Sequence, residues 1–487
     1  MNQKSQQGNT QSPPAGGQGN PADAGKMGLV SSILLCLACI IGVGIFGTLP
    51  EEVRRLGPGI IYALICGAAV TILRSVSRMY TSAALPISAA TVMHGAKLIH
   101  PLVGGLLSIN AFMNTIGLAI FARIFPQYFL RIFPGLPLSE TALGVVFLLF
   151  FGVLSWFGSR SNIIISNTMI ALLICSFGIY IIGGLPHVSA DYLSLRTALH
   201  PAVPVTEITA SAGVLLSSFG GATAIAEVTD KVRNPGRTVP LAMLISPSIV
   251  LVLYMLLGIV TAGVVPQDQA TSFGDVAATF LPNTLLVIFI LVGPLLGSVS
   301  PVLPFTLSCM ERIRYISKLG YLPAVFQRQN RHGVPTVCLF LTYGVGIVFV
   351  LSGIPFRKLL IFTALGYMVA EIPCTLTPIF AYRKYPHCCD NAPVRMNRRF
   401  VTTLAVLMTF VNVYLGAQML VSLSKAQAIG FVAFFTVGFV LILARIRYLR
   451  GQGRDLIEEI KAPHPEWEAR ETALAAQAQK TALASQR

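Results

Sequence analysis

Gly42, Gly44 and Gly47 fall within the apolar stretch IIGVGIFGTLP. Glycine inside a helix costs about 1 kcal/mol relative to alanine, so this run marks a place where the backbone is free to leave helical geometry. The stretch LLSSFGGATAIAEVTDKVRNPGRTVP sets Gly220 beside Gly221 in a second such position. A helix broken inside an apolar span frees backbone N–H and C=O groups that lipid cannot satisfy. Donors opening the half-helix after Gly44 suit a carboxylate, and carbonyls ending the preceding half-helix suit an ammonium group or a cation. Together such breaks would recognise the two charged ends of an α-amino acid. The competing reading is that the glycines only let helices pack closely.

A charge within a membrane span costs at least about 2.5–3.5 kcal/mol on insertion scales, which makes each one a candidate for function. Two coupling candidates stand out: Glu371 in LGYMVAEIPCTL, and Glu227, which follows Thr223 by one helical turn and shares its face. Glu371 must be paired, neutral or functional; for Glu227 the bland alternative is a pair with a loop arginine. Arg74 and Arg78, one turn apart, are expected to snorkel to the cytoplasmic interface. Asn110 and Asn114, also one turn apart, face either the site or a neighbouring helix.

These residues need a membrane scaffold to position them. Of 487 residues, 54% are hydrophobic and 11% charged, and the mean hydropathy is +0.72, far from the balance of a soluble chain. Apolar runs of roughly 20 residues cross a bilayer. Twelve are read here: 28–49, 58–83, 101–125, 138–157, 162–185, 205–229, 239–265, 279–309, 334–353, 356–382, 399–422 and 428–448. The net charge of +16 is sorted by loop, with most Lys and Arg residues on even-numbered connections and the C-terminal end, Lys231, Arg312, Arg314, Arg383 and Arg445 among them. The positive-inside rule then puts both termini in the cytoplasm and makes the basic balance a matter of topology. Nucleic acid, which needs a basic soluble face, is not expected as a partner.

Residues 1–27 read as a disordered cytoplasmic tail without a cleaved leader, and 449–487 as a second, partly helical cytoplasmic tail. The nine cysteines lie mainly in spans, where they act as small apolar residues. His387, Cys388, Cys389 and Asp390 lack metal-ligand spacing, so no metal is expected. One break in the first span and one in the sixth is the pattern of two inverted repeats, each giving a discontinuous helix to a midplane site. The fold class is therefore an all-α integral membrane protein with twelve transmembrane helices. A 5+5 inverted repeat with broken helices 1 and 6 occupies 28–185 and 205–382, and two extra helices occupy 399–448, within a transporter domain of 28–448.

At these residues the chain resembles the amino acid–polyamine–organocation superfamily of secondary transporters. Gly42-Val43-Gly44-Ile45-Phe46 is similar to the Gly-Ser/Ala-Gly-Ile-Phe of that family's first span. Phe219-Gly220-Gly221-Ala222-Thr223, with Arg233-Asn234-Pro235 and Pro240 downstream, is similar to its sixth-span Phe-x-Gly-Phe-Glu and the basic-Asn-Pro that follows. Gly320, Leu322, Pro323, Val334 and Pro335 resemble the loop after its eighth span. The resemblance implies a substrate site built from Gly42, Val43, Gly44, Ile45, Phe219, Gly220, Gly221, Ala222 and Thr223, with Asn110 and Asn114 beside it and Ser217 where some relatives carry an aromatic gate. Departures matter equally. Val43 narrows the pocket where relatives have a smaller residue, Thr223 replaces the common Glu, Leu173 replaces a Lys used by some proton-coupled members, and TSAALPISAA has no acid. Proton coupling through the usual groups is therefore not expected.

The implied function is secondary active transport in the cell (inner or plasma) membrane, moving an amino acid or related amine by alternating access. It would work as an exchanger or as a symporter, with a proton, a sodium ion or a counter-substrate as second partner. The alternative is a transport-inactive nutrient sensor on the same fold. With no phosphate loop and no nucleophile–base pair, neither enzymatic activity nor a cofactor is expected; the partners are the small-molecule substrate and the lipid bilayer.

Overall fold

The computed structural model describes residues 26–133, 135–189, 203–270, 272–354, 356–421 and 423–485. Regular structure among them is helical, apart from the isolated bridges Met27–Val232 and Gln329–Pro335. Helix α1 (Leu29–Ile40) stops where Ile41 and Gly42 become extended, and the chain resumes as α2 (Val43–Leu56). Then come α3 (Ile60–Ala84), α4 (Pro101–Thr115), α5 (Gly117–Ile132), α6 (Glu140–Trp156) and α7 (Ser159–Gly184). The second break follows α8 (Val205–Leu216): a tight turn at Ser217–Phe219, a turn through Gly220–Thr223, and a tighter 3-10 segment at Ala224–Lys231.

Helix α9 (Pro235–Val264) leads to an eighth span that is also irregular, with a π turn at Leu291–Leu295 around Pro294 and an interruption at Ser300–Pro301 before α10 (Val302–Lys318). The chain ends with α11 (Thr336–Leu351), α12 (Phe356–Lys384), α13 (Arg398–Val421), α14 (Lys425–Gly451), α15 (Leu456–Lys461) and α16 (Pro465–Ser485).

Among the described residues eight helical runs are long and apolar enough to cross a bilayer, and α1, α6, α8 and α11 are shorter apolar helices. The order broken, long, long, short, long thus occurs twice along the chain, in keeping with a repeat. Helix α10 extends well past the expected span end at 309, because hydropathy marks the change of solvent and not the end of a helix; its last turns carry Glu311, Arg312, Arg314 and Lys318. The two final long helices, α13 and α14, point Phe410, Tyr414, Val421, Val432 and Leu441 outward. Exposed apolar surface of that extent is stable where the solvent is hydrocarbon.

Gly221 takes φ +104°, and a Cβ there would lie 2.6 Å from the Cys39 carbonyl oxygen. The second break is therefore seated directly on the end of α1, in a conformation and a space that only glycine fits. Gly221→Ala is expected to destabilise the detergent-purified protein by on the order of 2–4 kcal/mol. Gly213→Ala is the control, since a Cβ at Gly213 meets nothing within 4 Å. Equal thermal midpoints for the two variants would show that the break relaxes freely.

Candidate functional site

The N-cap of α2 is Gly42, which has no side chain to offer, and the first-turn N–H groups of a helix have no intrahelical acceptor. Gly42 is packed on Pro301, where a Cβ would lie 3.0 Å from Cγ, and Gly44 on Ser218, where it would lie 3.1 Å from Oγ. Thr48 donates to the Gly44 carbonyl at 2.7 Å and shares a 3.0 Å hydrogen bond with Ser218, whose own carbonyl accepts the Tyr254 hydroxyl at 3.3 Å. Ile45 is buried, and Phe46 lies against Gly297 in the irregular eighth span. On the second break Phe219 is buried with its ring 5.3 Å from that of Tyr254, and the Ala222 carbonyl accepts the Cys36 thiol at 3.5 Å. Gly44, Gly220 and Gly221 are half-buried, so the two breaks leave accessible backbone where they meet. The side chains of Val43 and Ser217 lie outside the described part of the structure.

A buried ion cluster adjoins the second break. Arg78, expected to snorkel, is instead 6% exposed within the bundle, because α3 is covered by α8, α9, α12 and α13 and has no interface to run along. Its Nη1 donates to Glu371 at 2.6 Å and to Thr223 at 3.3 Å; its Nη2 donates to Thr91 at 2.5 Å and to Glu227 at 3.3 Å. The Thr91 hydroxyl donates in turn to Glu227, and Arg312 Nε stands 3.6 Å from the other oxygen of Glu227. The fixed fork of a guanidinium makes this sharing geometrically natural. Both coupling candidates thus meet on one cation, and Thr223 ties that cation to the break. The partners of Glu227 are helix arginines, not a loop arginine. Arg74 is buried too, donating to Asn412 at 3.2 Å with its guanidinium 5.4 Å from the Tyr367 ring centre.

A second layer lies beyond. Glu311, 1% exposed, pairs with Lys231 at 2.8 Å and Arg314 at 2.6 Å, and Arg314 also reaches Asp230 at 3.2 Å. Sequence reading counts Lys231, Arg312 and Arg314 as topology alone and passes over Glu311; the available signal is an acid three residues before Arg314 in CMERIRY. Asn110 donates to the Gly366 carbonyl at 2.5 Å and Asn114 to Asn110 at 3.0 Å, which ties α4 to α12. Cys388 and Cys389 are buried, and no group of three His, Cys, Asp or Glu side chains among the described residues could hold a metal.

A family model described as amino acid permease matches residues 27–444. The chain is 26% identical to an uncharacterized protein of Methanocaldococcus jannaschii over 337 residues, 67% of this chain and 76% of that one. It is 22% identical to a methylthioribose transporter of Bacillus subtilis over 321 residues, 61% and 68% of the two chains. With an arginine/ornithine antiporter of Latilactobacillus sakei it shares 23% identity over 383 residues, 74% and 77% of the two.

The cluster predicts a non-additive mutant cycle. Arg78→Met strands the buried Glu371 carboxylate and leaves Glu227 on Thr91 and Arg312; it is expected to cost on the order of 3–5 kcal/mol. Glu371→Leu leaves Glu227 on Arg78 and costs less. The double variant should be more stable than the sum of the single losses predicts, by about 1–3 kcal/mol. Unfolding midpoints in detergent measure this, and additive losses would show that the two side chains are not coupled.

Proposed function

Because the chain belongs to the amino acid permease family, we propose that it moves an amino acid or a related amine across the membrane by alternating access, as an exchanger or an ion-coupled symporter. The observation that carries this reading is the direct contact of the two breaks, Gly44 on Ser218 and Gly221 on the Cys39 carbonyl. That contact gathers the uncapped N–H groups of α2 and the carbonyls ending α1 at one half-buried spot. A substrate carboxylate binds at the start of α2, where the helix dipole is positive, and its ammonium group binds the carbonyls of the break.

On one side Arg78, Glu371 and Glu227 close the route; Phe46 and Phe219 pack around the breaks as well. Opening toward the ion cluster requires Arg78 to change partners, so Glu371 and Glu227 are the proposed coupling residues. By the positive-inside rule that side is cytoplasmic. Thr223 in place of an acid, and an antiporter among the relatives, favour exchange over proton symport.

Radiolabelled amino acids and amines supplied to proteoliposomes test the proposal. Vesicles preloaded with unlabelled substrate are expected to take up label faster than empty ones. Equal accumulation in empty vesicles under an imposed proton gradient would remove the exchange preference, and saturable binding without flux would identify a sensor.

Glu371→Gln retains the shape of the side chain and removes its charge. It is expected to change the pH dependence of uptake while expression stays at the parent level. A pH profile that overlays the parent's would leave Glu371 a purely structural partner of Arg78.

A further inference from the structure

The chain turns back on the bundle after α14. Most of the following segment is polar or alanine, yet three large apolar side chains in it, Leu456, Ile460 and Trp467, are 0%, 2% and 3% exposed. They join the same core cluster as Ala84, Leu85 and Cys388. Leu456 fills the space over Gly320, where a Cβ would meet its Cδ1 at 2.5 Å. The Trp467 ring stands 5.8 Å from the rings of His94 and Tyr385.

Polar contacts lock the same segment. The two oxygens of Glu471 accept the His387 and Cys388 amides at 2.9 and 2.7 Å, and Arg470 donates to the Ala84 carbonyl ending α3 at 3.0 Å. Lys97 donates to the Ala462 carbonyl at 2.9 Å. One short segment therefore grips the connections that follow the second, eighth and tenth spans.

Beneath it lies a cavity of about 670 Å³. Thr229, Asp230 and Tyr315 form part of its wall, and Glu459, His464 and Glu466 of the segment line it from the other side. Asp230 lies in the same 3-10 segment as Glu227, so the cavity adjoins the ion cluster on the side away from the breaks. Lys26, at the start of the described chain, lines it too.

We propose that residues 456–485 form a latch that holds this face of the transport path closed, and that undocking the latch raises turnover. This rests on the transport reading above. Opening the face separates the ends of the second, eighth and tenth spans. A segment that binds them only when they are together stabilises the closed state by its differential contacts and by nothing else.

Cys388 reports docking. Its thiol lies 3.8 Å from the Trp467 carbonyl, and burial together with the Glu471 carboxylate pushes its pKa up to about 12, which makes it unreactive while the segment is seated.

The test uses the full-length protein in proteoliposomes, with Trp467→Ala and Glu471→Gln made separately. Modification of Cys388 by a membrane-impermeant maleimide, resolved by peptide mass spectrometry, is expected to accelerate at least about tenfold in both, as local opening becomes more populated. Initial uptake should rise about two- to fivefold, following the shift in population. Faster Cys388 modification with unchanged uptake would make the segment a cover and overturn the latch, and so would unchanged modification in both variants.

If Trp467→Ala fails to fold, Glu471→Gln decides alone, since it keeps the side chain's shape. Should the parent protein move no substrate, the transport reading fails, and the latch is judged separately by a Thr229→Cys reporter in the cavity wall. Labelling of that reporter which does not rise when Glu471→Gln is added would overturn it.

Discussion

Lipid offers no hydrogen bonds, and a backbone that leaves helical geometry inside it must find partners within the protein. The arrangement around the two breaks follows from that constraint. Gly221 sits on the Cys39 carbonyl because the second break uses the end of α1 as its floor. The Tyr254 hydroxyl reaches the Ser218 carbonyl for the same reason, since it satisfies an acceptor in the turn of the second break, while Thr48 bonds back to the Gly44 carbonyl within α2. The start of α2 follows Gly42, a residue with no side chain to cap it. Backbone N–H groups opening a helix in this way suit an anionic group.

Charge obeys the same logic at higher stakes. A lone buried guanidinium or carboxylate is costly, whereas one guanidinium shared by two carboxylates and two hydroxyls compensates much of its own desolvation. Arg78 occupies that position between α3, α12 and the 3-10 segment after the second break. Because it bridges these elements, the cluster holds them together in this arrangement. Glu311 with Lys231 and Arg314 repeats the device nearer the surface, and the docked C-terminal helices add a third layer on the same face. Three layers of contacts with different chemistry thus lie in series on that side.

Much of the scaffold is legible from local pattern. Clustered glycines inside apolar runs mark the breaks at Gly42 and at Gly220–Gly221, since the helix cost of glycine acts on the residue itself. Apolar runs of spanning length locate the long helices, because hydrocarbon selects composition residue by residue. Amino acid permease membership is also carried by motifs contiguous in the chain, and the family match over residues 27–444 agrees with the resemblance they suggest.

Other features depend on neighbours that are remote in the chain. Whether Arg78 snorkels or is buried turns on which helices cover α3, and its partner Glu371 lies 293 positions away. Asn110 faces the Gly366 carbonyl of α12, and Trp467 of a polar tail is buried against His94 and Tyr385. The amino-acid sequence by itself determined an all-helical membrane protein of this family with two interrupted spans, because those properties follow from the propensity and hydropathy of each segment. Only the tertiary structure decided that the interruptions touch, that both candidate acids share one arginine and that the tail is seated on the bundle, because hydrogen bonds and ion pairs act over a few ångströms of space whatever the separation along the chain.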